Sequence, residues 1–489
     1  MNENESAFQK VLNTGDVLVV AFGAMIGWGW VVSSGQWIQS GGVIGTVLGF
    51  IIGGVMIYYV GLAYAELTTS MPKCGGEQVF SFMAFGPIGS YLCIWALILS
   101  YMGVVCYEAC SFPTIMQYLF PQIYKGYMYT IAGYDVYASW VAIGAVMAAI
   151  IMLINIHGTK KSAFMQTVFT LAIAAVGLLL LGGAVANGDI ANIEANSFQG
   201  SGTAGILDNI SRIAIMTPFF FFGFDVIPQA AEEIRVPLKK LGRLMILSIV
   251  LAVAFYTMAV IAIGLVMNRN DIAASINSTG LVTADAMEKA FRSPVMSKVL
   301  IIGGLCGIIT SWNSFLIGGS RALYAMSDTK MVPGLFAKVH PKYKSPVNAL
   351  LFLGGISILA PLLGRAMLIW IVDAANFACC LAYCIVSASY LVIRKKYPSL
   401  KRPFQNRRYK AVGIIATVMS GSMMLMYLIP GTSCTLVWQE WIIVGAWALL
   451  GVIFYLVSKR KYRNQFADFK LTFESVERSR RSGSNYLQK

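Results

Sequence analysis

The feature that most constrains this chain is a recurring apolar run of about twenty residues, each long enough to cross a bilayer as a helix. Runs of this kind fill most of the 489 residues. Composition agrees: 57% of residues are hydrophobic and 12% charged, roughly half the charged share of a soluble protein. The pattern predicts an all-α polytopic membrane protein with 12 transmembrane helices. The spans read as 16–39, 43–69, 88–119, 136–157, 162–187, 205–231, 244–268, 297–327, 347–364, 366–393, 411–431 and 437–459. The opening MNENESAFQK is polar and lacks a basic n-region, so no cleaved signal peptide is expected.

Charge fixes the expected orientation. With a cytoplasmic N-terminus, 29 of the 37 Lys and Arg residues fall in inside segments and seven outside, with Arg321 inside span 8. Both termini are therefore expected inside. The same distribution explains the net charge of +15 without nucleic acid: the partners expected are the lipid bilayer and a small molecule. The nine cysteines lie mostly within apolar runs and are odd in number, so they read as small buried hydrophobes rather than a disulfide framework. Two histidines, His157 and His340, give no basis for a metal site.

Between the spans, "MPKCGGEQVFSFMAFGP" (71–87) is too polar and too glycine-rich to cross and reads as a cytoplasmic or interfacial element. The outer segment 269–296 has room for short helices. The basic loop RKKYPSLKRPFQNRRYK (394–410) reads as a positive-inside anchor, with an anionic-lipid site as the minority reading. The tail from Lys461, with Phe466, Phe469 and Phe473, reads as a partly ordered extension.

Two spans are interrupted. Span 1 carries AFGAMIGWGW, where Gly27, Trp28 and Gly29 break a helical pattern. Span 6 carries MTPFFFFGFDVIPQAAEE, which packs Pro218, Gly223, Asp225 and Pro228 into one apolar stretch. Proline removes a donor and frees the carbonyl one turn earlier, and an aspartate at this depth must face protein or water. The breaks sit five spans apart on helices running in opposite directions. That is the pattern of an inverted-repeat transporter, in which unwound backbone holds substrate at the midplane. Close packing through small residues is the alternative for span 1 alone. The organisation expected is an N-tail 1–14, a 5+5 inverted-repeat core 15–393 (repeats about 15–187 and 205–393), the loop 394–410, appended helices within 411–459, and a C-tail 460–489.

At these residues the chain resembles the amino acid–polyamine–organocation superfamily with its leucine-transporter-type fold. GAMIGWGW resembles the family's helix 1 motif, FFFFGFDVIPQAAEEIRVP its helix 6 motif, and SRALYAMSDTKMVPGLFAKVHPKYKSPVNAL (320–350) the end of helix 8 and its loop. The resemblance implies that backbone at Ala24, Met25, Ile26, Gly27, Trp28 and Gly29 receives a carboxylate. It implies that Phe219, Phe220, Phe221, Phe222, Gly223 and Phe224 offer carbonyls and an aromatic lid to an ammonium group. Trp312 stands where an arginine-exchanging branch has a stacking tryptophan. Sodium sites of this fold lie between helices 1 and 8, where Ser311 and Ser314 are candidates beside a generic packing role. Two departures stand out: Trp28 and Trp30 are bulkier than usual, and span 5 lacks the lysine that serves some proton-coupled members.

Charged residues inside spans complete the reading. Glu108 in span 3 needs a proton, a substrate cation or an ion, unless it is hydrogen-bonded or water-exposed. With Asp225 it makes the interior acidic. The expected function is therefore a permease for a neutral or cationic amino acid, not for glutamate or aspartate. An amine permease is the alternative, and a membrane receptor the alternative of another class. No HExxH, GxSxG or phosphate loop suggests an enzyme, and no cofactor is expected beyond a coupling Na+ or H+. Glu232 and Glu233 read either as local charge balance or as a gate with Arg321 or Lys73. Asp373 reads as a helix-start, pocket or gate residue. No oligomeric state is implied.

Overall fold

A computed structural model describes residues 10–120, 122–278, 280–430 and 434–467. The tail aromatics Phe469 and Phe473 lie outside these residues. Phe466 lies within them and packs edge-on against Tyr455 at 5.1 Å. Among the described residues, ten helices are long and apolar enough to cross a membrane.

The first span begins at Asn13, whose side chain accepts the Gly15 and Asp16 N–H groups while Asp16 reaches back to the Asn13 N–H. This capping box starts α1 (Thr14–Met25). The chain unwinds at 26–28 and resumes as α2 (Gly29–Val32) and α3 (Ser34–Ser70). Inside α3 the chain bends at Gly42, φ 74° and ψ 174°, and this bend separates the first span from the second. A Cβ there would lie 2.5 Å from the Ser197 carbonyl oxygen, so both conformation and space demand glycine.

Helix α4 (Gly76–Leu119) bends at Gly86, φ 73°, directly before Pro87. The segment expected to be interfacial is thus a helical arm continuous with the third span. A two-stranded antiparallel hairpin follows, β1 (Tyr127–Ile131) with β2 (Tyr134–Tyr137). It corrects the all-α expectation locally. Its turn is Ala132-Gly133, both with positive φ, as the favoured hairpin turn requires.

Next come α5 (Ala138–Ile156), α6 (Thr159–Asn187) and the short α7 (Ile190–Ala195). Helix α8 (Gly202–Phe220) stops at a second break and resumes as α9 (Val226–Gln229). After it run α10 (Leu238–Val266), α11 (Arg269–Ser278), α12 (Val282–Phe291) and α13 (Pro294–Asp328). The pair α11 and α12 are the short helices expected in 269–296. The chain ends with α14 (Val347–Leu359), α15 (Ala366–Lys396), α16 (Tyr409–Met426) and α17 (Trp438–Tyr462).

The most buried helices are α4 and α13, with α15 packed on α4 and α1 and α6 packed on α13. Helix α17 lies at the periphery and exposes Leu449, Val452, Ile453 and Leu456, as a lipid-facing helix should. One feature fastens it: Trp95 and Trp447 stack at 4.4 Å. Each indole N–H donates to the other's carbonyl oxygen at 2.9 Å. None of the nine cysteines forms a disulfide.

Candidate functional site

The two breaks meet in the centre of the bundle. Helix α1 ends where the Ile26 N–H donates to the Phe22 carbonyl. Among the described residues, the N–H groups of Gly27 and Trp28 donate to no backbone carbonyl. At the other break, α8 ends with the Phe221 N–H shared between the Thr217 and Pro218 carbonyls. The carbonyls of Phe219, Phe220, Phe221 and Phe222 accept no hydrogen bond among the described residues. Gly223, φ 139°, lets the two segments touch, because a Cβ on it would sit 2.6 Å from the Ala24 Cβ. Unfilled donors on one segment thus face unfilled acceptors on the other.

Around them is a cavity of about 20 Å³, room for a single water. Of the expected residues, Ala24, Met25, Gly27, Trp28, Gly29, Glu108, Phe219, Phe220 and Ser311 line it. Sequence reasoning had no cavity role for Val104, Tyr107, Tyr256 and Phe315, which also line it. Val104 and Phe315 lie one helical turn from Glu108 and Ser311, so helical spacing could have found them. Tyr256 comes from α10, and its hydroxyl donates to the Met25 carbonyl at 2.9 Å; no local signal points to that contact.

Glu108 is the one ionisable carboxyl on this wall, and it is 2% exposed. The Ser311 hydroxyl donates a short hydrogen bond to its Oε1, while Oε2 has no partner. Gly27 fits against this pair: a Cβ would stand 3.0 Å from both Glu108 Oε1 and Ser311 Oγ. Gly29 fits against Phe220, whose ring would lie 2.5 Å from an added Cβ. The Trp28 ring packs onto Gly304, and Trp30 packs edge-on against Phe255 at 5.1 Å. The two tryptophans are therefore seated by glycine and phenylalanine neighbours.

Other expected residues lie off the cavity. Ile26 is buried with its carbonyl toward Gly307. Phe221 packs on Phe50 and Tyr256, Phe222 on Phe315 and Tyr383, and Phe224 on Tyr64 and Tyr383. Asp225 accepts the Gly223 N–H at 2.8 Å. Trp312 is fully buried, but the cavity-facing side of α13 is Ser311 and Phe315. Asp373 is half-buried on α15.

Ser314 belongs to a separate buried network. It accepts the Gln166 side-chain N–H at 2.9 Å and donates to the Val20 carbonyl at 3.3 Å. The Asn313 amide donates to Gln166 Oε1, and the Asn155 amide to Asn313 Oδ1, each at 2.9 Å. Gln166 sits in the lysine-free span 5. Its neutral amide ties α1, α5, α6 and α13 together.

The end of the bundle that carries the basic loops is tied together by two ion pairs. Lys73 pairs with Glu232 at 3.0 Å and Arg321 with Glu233 at 2.8 Å. The Val11 and Leu12 N–H groups donate to the Glu233 carbonyl, and the Arg235 N–H donates to the Leu12 carbonyl. Burial, and then Glu232 and Glu233, push the Cys74 thiol beside them up, so it is held protonated. Among the described residues no group of three or more metal-ligating side chains occurs.

A polytopic helical membrane protein with two broken helices meeting at a central polar cavity is the class this geometry defines. Comparison with known proteins narrows it. The family model for amino acid permeases matches residues 16–468, and the chain belongs to that family. It is 27% identical over 462 residues to the methylthioribose transporter of Bacillus subtilis, covering 93% of this chain and 94% of that one. It is also 27% identical over 468 residues to the branched-chain amino acid permease BcaP of the same organism, covering 94% and 95%. The histidine permease HisP of Lactococcus lactis is 23% identical over 500 residues, with 98% and 99% covered. These relatives are transporters, not enzymes.

Proposed function

We propose that this permease is a secondary transporter carrying a neutral or cationic amino acid across a bacterial cytoplasmic membrane by alternating access. The observation that carries the reading is the facing pair of breaks. Unbonded N–H groups at Gly27 and Trp28 suit a carboxylate, and unbonded carbonyls at Phe219 to Phe222 suit an ammonium group. Glu108, with one oxygen free at the cavity wall, offers an acceptor to a substrate cation and disfavours an acidic side chain. Phe220, Tyr107 and Phe315 supply apolar wall.

In this reading the chain has twelve spans: the ten long helices, the broken α8–α9 and the shorter α14. Spans 1–5 and 6–10 form the inverted repeat, and both termini are cytoplasmic. The ion pairs Lys73–Glu232 and Arg321–Glu233 form the inner gate. The cavity, with room for one water, belongs to an occluded conformation that widens when either end opens. The relatives named for branched-chain amino acids and histidine support an α-amino acid substrate.

The test is uptake into proteoliposomes with labelled L-leucine, L-histidine, L-arginine, ethanolamine, L-aspartate and methylthioribose. Saturable counterflow of a neutral or basic amino acid is the expected result. Counterflow of L-aspartate or methylthioribose alone would overturn the substrate class. Binding of any of these without transport would favour a receptor.

A further inference from the structure

Between the cavity and the inner ion pairs lies a second polar cluster. Glu77, in the first turn of α4, and Asp225, at the break before α9, are each fully buried. Among the described residues, no Lys, Arg or His bonds or pairs with either. The groups that face them are Tyr64 of α3, Cys93 and Tyr101 of α4, Gln229 of α9, and Cys379 and Tyr383 of α15. Part of the polar capacity is filled. The Gln229 amide donates a short bond to Glu77 Oε2, the Gly223 N–H donates to Asp225 Oδ1, and the Tyr101 hydroxyl donates to the Asp225 carbonyl at 2.9 Å.

The rest is unfilled. Glu77 Oε1, Asp225 Oδ2, Gln229 Oε1 and the hydroxyls of Tyr64 and Tyr383 are buried without a partner. Buried polar atoms in native proteins are nearly all bonded, so five orphans around two carboxyls call for an occupant. Two ionised carboxylates in this dry, cation-free site would repel each other and lack compensation. One proton removes a charge and supplies an O–H donor to an orphaned acceptor. Carboxyls in such a pair share a proton rather than ionise together.

We propose that Glu77 and Asp225 share an exchangeable proton, and that this proton is the ion coupled to transport. The proposal rests on the transporter reading above. Glu77 lies four residues after Lys73, and Asp225 lies seven before Glu232. The two carboxyls thus stand on the same two segments that the Lys73–Glu232 pair joins. With the proton present, the segments stay together. When its O–H bond breaks and the proton passes to cytoplasmic water, two like charges push the arm of α4 from α9 and favour the open inner end.

The experiment compares wild type, Glu77→Gln and Asp225→Asn in sodium-free proteoliposomes, with L-leucine as probe, beside infrared pH titration of the purified proteins. Wild type is expected to accumulate L-leucine under a proton gradient. Each variant is expected to keep counterflow but lose accumulation above the exchange level. The infrared carboxylic-acid band of wild type at neutral pH should weaken in each variant. Proton-driven accumulation that survives in both variants would overturn the proposal, as would wild-type accumulation that follows sodium and ignores pH. Where a variant loses counterflow as well, the infrared band decides: a band unchanged from wild type overturns the shared proton. A wild type inactive with every probe in the panel would sink the transporter reading, while the infrared result would still judge the proton.

Discussion

Two buried carboxylate sites at the same end of the bundle behave oppositely. Glu66 of α3 is 1% exposed and surrounded by donors. Its Oε2 accepts from Arg394 and the Asn406 N–H at 2.8 Å and from the Tyr390 hydroxyl at 3.1 Å. Arg394 Nε lies 2.6 Å and Arg402 Nε 3.3 Å from Oε1, although the Arg394 Nε–H itself points off the line of a hydrogen bond. Among the described residues, no cation pairs with Glu77 or Asp225. The first arrangement fastens the basic loop 394–410 to the second span. The second leaves carboxyls whose state follows the medium. Burial and residue type are shared, so it is the partner that separates a fastening from an exchangeable site.

The comparison breaks most readily at Glu66. Glu66→Gln strands two arginines whose side chains are 10% and 8% exposed. Removing one partner of a buried pair costs about 3–5 kcal/mol. The expected outcome is a large fall in the thermal unfolding temperature of the purified protein. Glu77→Gln strands no cation and should leave that temperature nearly unchanged. Equal losses in the two variants would erase the distinction.

Glu233 and Glu232 repeat the contrast one residue apart. Arg321 and Glu233 are 1% and 3% exposed, Lys73 and Glu232 26% and 15%. Glu233→Gln should cost roughly the 3–5 kcal/mol of a broken buried pair, and Glu232→Gln about 0–1 kcal/mol. Hydrogen exchange of the Val11 and Leu12 amides, which donate to the Glu233 carbonyl, mapped by mass spectrometry, reads the same event: deuterium labelling should rise strongly in Glu233→Gln and little in Glu232→Gln. Similar labelling in both would mean that burial does not set the strength of the two pairs.

How much of this was legible beforehand follows from what is local. The apolar runs behind the ten long helices and the two breaks came from residues adjacent in sequence, and so did Glu108. The hairpin at 127–137 was missed because its tyrosine-rich alternation is short and lies beside a span. Tyr256 was missed because its bond to the Met25 carbonyl joins residues far apart in sequence. The basic loop reads as an anchor of positive charge, yet the cations Arg394 and Arg402 are consumed by Glu66, and only folding brings that pairing about. Asp225 was expected at the substrate, but Gly223 turns its carboxyl back onto the backbone.

Glu108 stands between the two extremes, with one oxygen bonded to Ser311 and one free. Gly27→Leu would drive a side chain into that pair. Overpacking costs about 1–3 kcal/mol, so the protein should still insert, while counterflow is lost; unchanged apparent affinity would refute a binding role for this break. Glu108→Gln is the milder probe. It removes charge but keeps shape, and should weaken L-arginine about tenfold, roughly 1.4 kcal/mol, and L-leucine less. Equal weakening of both would make Glu108 a packing residue rather than a charge filter.

The smallest effect belongs to an exposed pair between the two short helices α11 and α12, where solvent does what arginines do for Glu66. Asp271 of α11 meets Lys289 of α12 at 2.6 Å, with side chains 32% and 48% exposed. Partial burial pulls the Asp271 carboxyl up, but the bonds from Lys289 and the Asn268 N–H outweigh it and hold the carboxyl below its ordinary value. A depressed carboxyl stabilises the folded loop above the unfolded pKa of about 4, and that contribution is lost as pH falls through the lowered value. Exposed pairs of this kind contribute about 0–1 kcal/mol and are screened by salt. Hydrogen exchange of α11 should therefore accelerate slightly in Asp271→Asn near neutral pH, less in high salt, and not at all below the carboxyl's own titration. An acceleration as large as that around the 394–410 loop in Glu66→Gln, or one that persists in acid, would mean that exposure is not what separates the weak pair from the strong one.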